Sequence, residues 1–198
     1  MKRPLENNFK KTSAIALSGV ISALCFVVMY IAAVTEVFAR IRGLLCKAYG
    51  EKAEEMFMRL FPVILTDNGT EFTDPAGIEN DEQGRAQTSL FYCDACQSWQ
   101  KAHVERNHEL LRKVLPKGTA YTEPTSFDGL TQEQVARLLS HVNGYVRKSI
   151  GDRTPWQLFA ESFGAECAAL FGVVEIAPND VCLKPSLLGI EVRVKKMD

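Results

Sequence analysis

The sequence predicts an α/β domain of short strands with helices, preceded by an apolar helix. Three observations carry this expectation. Residues 13–34 form a long apolar run without a charged residue. From Thr35 onward, apolar residues recur three and four apart, the period of a helix with one buried face. Two short β-rich runs, Val63-Ile-Leu-Thr66 and Thr88 to Tyr92, are bounded by turn-forming residues, as strands are.

The composition sets the outer limits. The chain has 198 residues, 46% of them hydrophobic and 24% charged, which suits one ordinary globular domain plus an appendage and excludes a disordered chain. The formal net charge is -1 and the pI about 6.3. The chain as a whole therefore does not attract nucleic acid, and any such site must come from local clustering of cations. The six cysteines are spread too unevenly for the disulfide framework of a small secreted domain, and they read as reduced thiols. Cys93 and Cys96, with His103 and His108 following, raise a zinc reading. Too few residues separate Cys96 from His103 for a standard finger, and two small residues packed near a strand end are the plainer account.

Residues 1–34 are predicted as an apolar leader. Its run from Ser13 to Val34 has the length of a membrane-spanning helix, about 20 residues. Lys2, Arg3, Lys10 and Lys11 precede it, which favours a cytoplasmic N-terminus. Arg40, Arg42 and Lys47 on the far side weaken that bias, and a buried core helix is the alternative reading.

Past Thr35, the positions Val37, Phe38, Ile41, Leu44, Leu45 and Ala48 define one face of a helix ending near Tyr49-Gly50. A second helical segment is expected from Glu51 to Leu60, stopped before Pro62. The strand Val63 to Thr66 then delivers Asp67 at its C-terminal tip, and Gly69 allows a sharp turn. Gln100 to Leu115 reads as a helix stopped by Pro116 and Gly118. Thr131-Gln-Glu-Gln134 is a capping box opening a helix with Val135, Leu138, Leu139, Val142 and Tyr145 on its inner face. Thr154-Pro155-Trp-Gln157 repeats the device with proline at the first helical position. Residues 173–198, with Pro178, Pro185 and a basic run at Arg193 to Lys196, read as an extended tail.

The chemistry-bearing residues are Asp67, at a strand tip, and Glu105, in the helix of Gln100-Lys-Ala-His-Val-Glu105-Arg-Asn-His-Glu109. Taken singly, Asp67 is also what a turn uses and Glu105 is also what a solvated helix face carries; Glu71 and Glu109 are the nearest competing carboxylates. These segments occur together with Leu115-Pro-Lys-Gly-Thr119, Ser126-Phe-Asp128, His141-Val-Asn-Gly-Tyr145 and Thr154-Pro-Trp-Gln-Leu-Phe159. In that order and spacing the chain, from roughly Thr35 to Leu188, resembles the catalytic core of DDE-type transposases of bacterial insertion sequences, relatives of retroviral integrases. The order gives the match its specificity, since a lone D-N-G would be weak.

The resemblance implies an incomplete ribonuclease H-like core over residues 35–172. In that family two aspartates and a glutamate hold two magnesium ions (or manganese) for DNA strand cleavage and strand transfer. By position Asp67 matches the second aspartate and Glu105 the glutamate, as catalytic and metal-binding groups. Hard oxygen ligands suit magnesium, and a two-ion site activates the nucleophile and stabilises the leaving oxygen. Lys101, Arg106, Asn107, Arg112, Lys113 and Lys117 are the candidate DNA contacts, with His103 adding to the basic flank. The implied partners are the element's DNA ends and target, a second copy of the chain, and a membrane through residues 13–34.

The sequence departs from the family in one respect that matters. The pattern requires an earlier aspartate on the first strand, and no aspartate precedes Asp67. The expectation is a core truncated on its N-terminal side, fused to a membrane-protein-like leader, and inactive alone, because a metal site loses most of its affinity with a missing ligand. The two halves also conflict over location: the core's activity belongs to the cytoplasm, while the leader predicts membrane association. A single-pass membrane protein with a soluble binding domain is the alternative reading.

Overall fold

The computed structural model describes residues 34–66, 69, 72–94, 102–118, 122–125 and 129–191, with side chains given for all of these except 34 and 102–105. The apolar run expected to span a membrane lies, but for Val34, outside the described residues. Among those described, no helix is long and apolar enough to cross a membrane. The secondary structure is mixed, with seven α-helices and one two-stranded parallel sheet among the described residues. The chain divides into two compact units between Lys101 and Ala102.

The first unit begins with α1 (Val34–Tyr49), whose buried stripe is Val37, Phe38, Ile41 and Leu45. Leu44 and Ala48, expected on the same face, are exposed instead. The stripe is narrower than the sequence spacing indicates, and α2 (Ala53–Leu60) packs with it through its own buried Phe57. A 3-10 turn at Gly50–Lys52, with Gly50 at φ 55, reverses the chain between the two helices. Their contact is aromatic: the ring centroids of Phe38 and Phe57 are 6.2 Å apart, those of Phe38 and Phe61 5.7 Å, and those of Phe57 and Phe61 5.1 Å. Edge-on and tilted arrangements of this kind add to the area that the rings bury.

β1 (Val63–Thr66) follows and pairs in parallel with β2 (Ser89–Tyr92), in the register Val63 to Ser89 through Thr66 to Tyr92. Parallel neighbours cannot be joined by a hairpin, so the connection must cross over. It contains the short helix α3 (Pro75–Glu79), capped by the Asp74 side chain, which accepts from the Gly77 amide at 3.0 Å. Arg42 then ties α1 to this crossover. Its Nη2 donates to the Ile78 carbonyl at 3.0 Å, its Nε to Gln87 Oε1 at 3.1 Å, and its guanidinium carbon lies 4.4 Å from the Phe57 ring centroid. The far edge of β2 is blunted by Glu79, whose carboxylate accepts the Leu90 amide at 2.8 Å, a local answer to an open strand edge.

The second unit holds α4 (Ala102–Val114), α5 (Gln132–Asn143), α6 (Pro155–Phe163) and α7 (Ala165–Leu170). Both capping boxes form as the sequence predicts, at Thr131 with Gln134 and at Thr154 with Gln157. Leu138, Leu139 and Val142 are buried as expected, whereas Val135 is only half-buried. Tyr145 lies past the end of α5 and is 41% exposed, because the helix closes at Gly144. The segment 173–191 is largely extended, with 3-10 turns at Pro178–Asp180 and Pro185–Leu188. It is strapped along α5 by three polar side chains: Gln134 Nε2 donates to the Leu188 carbonyl at 3.0 Å, Ser140 Oγ accepts the Val174 amide at 3.1 Å, and His141 Nδ1 accepts the Cys182 amide at 3.1 Å.

Two predictions follow from this packing. Gly118 sits at φ +85 in the turn after α4, and a Cβ there would approach the Pro124 nitrogen to 2.6 Å. Gly118→Ala is therefore expected to destabilise the chain by more than about 1 kcal/mol, read as a lowered urea midpoint. His141 must be neutral for Nδ1 to accept. Burial first, and then the charge of Arg137, hold its imidazole below the ordinary value of 6.5. The unfolded chain takes up the proton first as pH falls, so this contribution is complete above about pH 6.5 and is lost below it. His141→Asn, which keeps an acceptor and does not titrate, should show a smaller drop in urea midpoint between pH 7 and pH 5.5 than the wild type.

Candidate nucleic-acid and metal site

The strand that leads to Asp67 is fixed along its whole length. Thr66, at its last position, is 3% exposed, and its carbonyl accepts the Cys93 amide at 2.7 Å, carrying the pairing one residue beyond β2. Downstream, the Phe72 amide donates to the Gly69 carbonyl at 3.2 Å. The buried Tyr92 hydroxyl donates to the Phe72 carbonyl at 2.5 Å. Burial first, and then the charge of Glu79, push the Tyr92 phenol above its ordinary range, so it acts as a neutral donor. The flanks of residues 67–71 are thus both anchored to β2. Asp67 itself, with Asn68, Thr70 and Glu71, lies outside the described residues.

Glu105 falls in the first turn of α4, and its side chain likewise lies outside the described set, as do Lys101 and His103. The remaining candidates can be placed. Arg106, Lys113 and Lys117 are exposed. Arg106 and Lys113 are seven positions apart on one helix and so share a face. Arg112 is half-buried, with Nη1 directed at the Leu115 carbonyl at 3.3 Å. Asn107 is 3% exposed. It shares the inner stripe of α4 with Leu110, Leu111 and Val114, all buried. A residue on that stripe supports the helix from within, unlike the surface contact expected for it from sequence. Among the described residues no group of three or more histidine, cysteine, aspartate or glutamate side chains is arranged to hold a metal. Of the zinc candidates, Cys93 is buried beside the end of β2, while Cys96 lies outside the described residues.

A basic residue that the sequence reading passed over joins this face. Lys113 Nζ stands 5.8 Å from the Tyr145 ring centroid, which brings the loop after α5 to the exposed side of α4. Two residues later, Arg147 Nη2 reaches the Val142 carbonyl at a long 3.5 Å, while its Nε is buried without an acceptor among the described residues. Burial first, and then the positive charge of Arg106, pull the Arg147 guanidinium below its ordinary range. The only advance sign was an Arg-Lys pair just past a helix end, and such pairs are usually solvated.

Comparison with known proteins gives two partial matches. The chain is similar to the transposase for insertion sequence element IS4351 of Bacteroides fragilis, with 26% identity over 102 residues, 52% of this chain and 28% of that protein. It is also similar to the transposase for insertion sequence element IS1086 of Cupriavidus metallidurans, with 31% identity over 72 residues, 36% of this chain and 20% of that protein. The matches thus span less than a third of either relative's length. No protein-family model matches the chain, and no solved structure matches it.

The anchoring of the acidic turn can be tested directly. Tyr92→Phe removes the hydroxyl that donates to the Phe72 carbonyl, and it is expected to cost about 1–2 kcal/mol of stability, measured as a shift in denaturant midpoint without loss of helical circular dichroism.

Proposed function

For a chain related in sequence to insertion-sequence transposases, we propose a transposition-linked DNA-processing role, as the C-terminal part of a DDE-type, ribonuclease H-like catalytic core. The observation that carries this reading is the strand Val63–Thr66, paired in parallel with Ser89–Tyr92, which closes on the buried Thr66 immediately before Asp67. In α/β sheets, ligands collect at the carboxyl ends of parallel strands. Cys93 N–H on Thr66 O and Tyr92 O–H on Phe72 O anchor the described residues on either side of positions 67–71. Preorganisation of this kind is what a metal-binding side chain requires.

Asp67 and Glu105 are the residues that would hold magnesium or manganese. Both offer hard carboxylate oxygens, the donor type that these ions prefer. Bound there, the metal would supply charge to activate an attacking oxygen and stabilise a leaving one. The protein's own share is to position the two carboxylates and bind the DNA backbone. Arg106, Lys113 and Lys117, exposed on or just after α4, would neutralise phosphates without reading sequence.

Residues 1–66 contain no aspartate, so the 198-residue chain by itself offers two of the three carboxylates that the resemblance implies. The expected outcome is magnesium-dependent binding to duplex DNA, weakened by Asp67→Asn, without strand transfer by this chain alone. Anisotropy titrations with and without magnesium, alongside a strand-transfer assay, check both halves. DNA affinity indifferent to magnesium and to Asp67→Asn would remove the metal assignment, and efficient strand transfer would contradict the predicted inactivity. Carbonate-resistant membrane association with no DNA affinity would favour the single-pass membrane protein instead.

A further inference from the structure

We propose that Arg147 and Arg106 form a pocket for one backbone phosphate of DNA, on the face that α4 shares with the loop following α5. The assignment rests on the DNA-processing role above and adds a specific contact that lies away from the two carboxylates.

Arg147 carries a charge with no counterion among the described residues. Arg147 is half-buried, and its Nε–H is shielded from solvent with no acceptor among the described residues. Among the described residues its side chain makes one hydrogen bond, the long one to the Val142 carbonyl. No carboxylate pairs with it among the described residues. Besides burial, the like charge of Arg106 lowers its guanidinium below the ordinary range. Arg106 is itself exposed and forms no ion pair among the described residues, although Glu109 lies only three positions along the helix. A partly buried guanidinium without a compensating anion is costly. A phosphodiester oxygen would relieve both the desolvation and the repulsion at once. Arginine is suited to this task, because its fork of donors matches phosphate geometry.

The loop that carries Arg147 is built to hold it still. The Arg147 amide donates to the Arg153 carbonyl at 3.0 Å in an antiparallel bridge. A 3-10 turn at Lys148–Ile150 closes onto the Arg147 carbonyl, and Gly151 and Asp152 both take positive φ, at 73 and 55. Arg153, by contrast, is paired with Glu161. The same loop therefore contains one neutralised arginine and one that is not. Lys113, over the ring of Tyr145, extends the cationic face on the α4 side.

The test uses the full 198-residue chain and a duplex of arbitrary sequence, with affinity followed against salt. Arg147→Met keeps the apolar stem and removes the charge. It should weaken binding about tenfold and make the slope of log K against log salt shallower by about 0.9, while the urea midpoint stays level or rises, since an unpaired buried charge has been removed. Arg106→Gln, at an exposed position, should produce the same change in slope. Arg137→Gln, at an arginine already paired with Glu133, should leave the slope unaltered. Wild-type slopes in both Arg147→Met and Arg106→Gln, on a chain that binds DNA, would overturn this pocket and leave the DNA role standing. A chain that binds no duplex at low salt would overturn both. Displacement of the duplex by inorganic phosphate at constant ionic strength would identify a free-phosphate site and also overturn the pocket.

Discussion

Parallel pairing of Val63–Thr66 with Ser89–Tyr92 is the constraint on which the first unit depends. Parallel strands need a crossover, and here it includes α3 before the chain returns to the sheet at β2. Each part of it is fastened to an element already in place. Tyr92 holds Phe72 from β2, Glu79 covers the outer edge of β2, and Arg42 reaches across from α1 to Ile78 and Gln87. Without the sheet these groups would have no common frame. Without them a two-stranded sheet, marginal by itself, would lack its support.

Arg42 shows how such a fold manages a charge. Burial lowers its guanidinium from the ordinary range, while Asp81 and Glu82 pull the other way. Two hydrogen bonds and the face of Phe57 use the group on three sides. Arg147, in the second unit, has the opposite circumstances: a shielded Nε, one long hydrogen bond and a like charge as its electrostatic neighbour. A buried cation supplied with partners serves packing. One left without them marks a place where the partner comes from elsewhere, and on a face with Arg106 and Lys113 that partner is an anion.

The second unit is organised by α5. Its inner face buries Leu138, Leu139 and Val142, and its polar side chains Gln134, Ser140 and His141 receive the chain that returns over residues 173–191. Gly144, where a Cβ would come within 2.9 Å of the Ile176 carbonyl, lets that strand pass close to the helix end. The helix closes there, which moves Tyr145 out of the core and into contact with Lys113. A boundary set by packing thus decides whether an aromatic side chain serves the interior or a charged surface.

The sequence by itself determined the local elements, because their causes are local. Helix starts at Thr131 and Thr154 follow from a hydroxyl and a glutamine three residues apart, and the strand at Val63–Thr66 from a β-rich run between Pro62 and Asp67. The order of its motifs also pointed to transposases before any comparison. Tertiary structure alone decided that Leu44 and Ala48 face solvent, that Asn107 turns inward, and that the segment after Val173 lies along α5. It also decided that the Arg147 Nε is shielded from solvent without an acceptor among the described residues. Burial and charge pairing are properties of neighbours far apart in the chain, and residue spacing carries no record of which neighbour arrives.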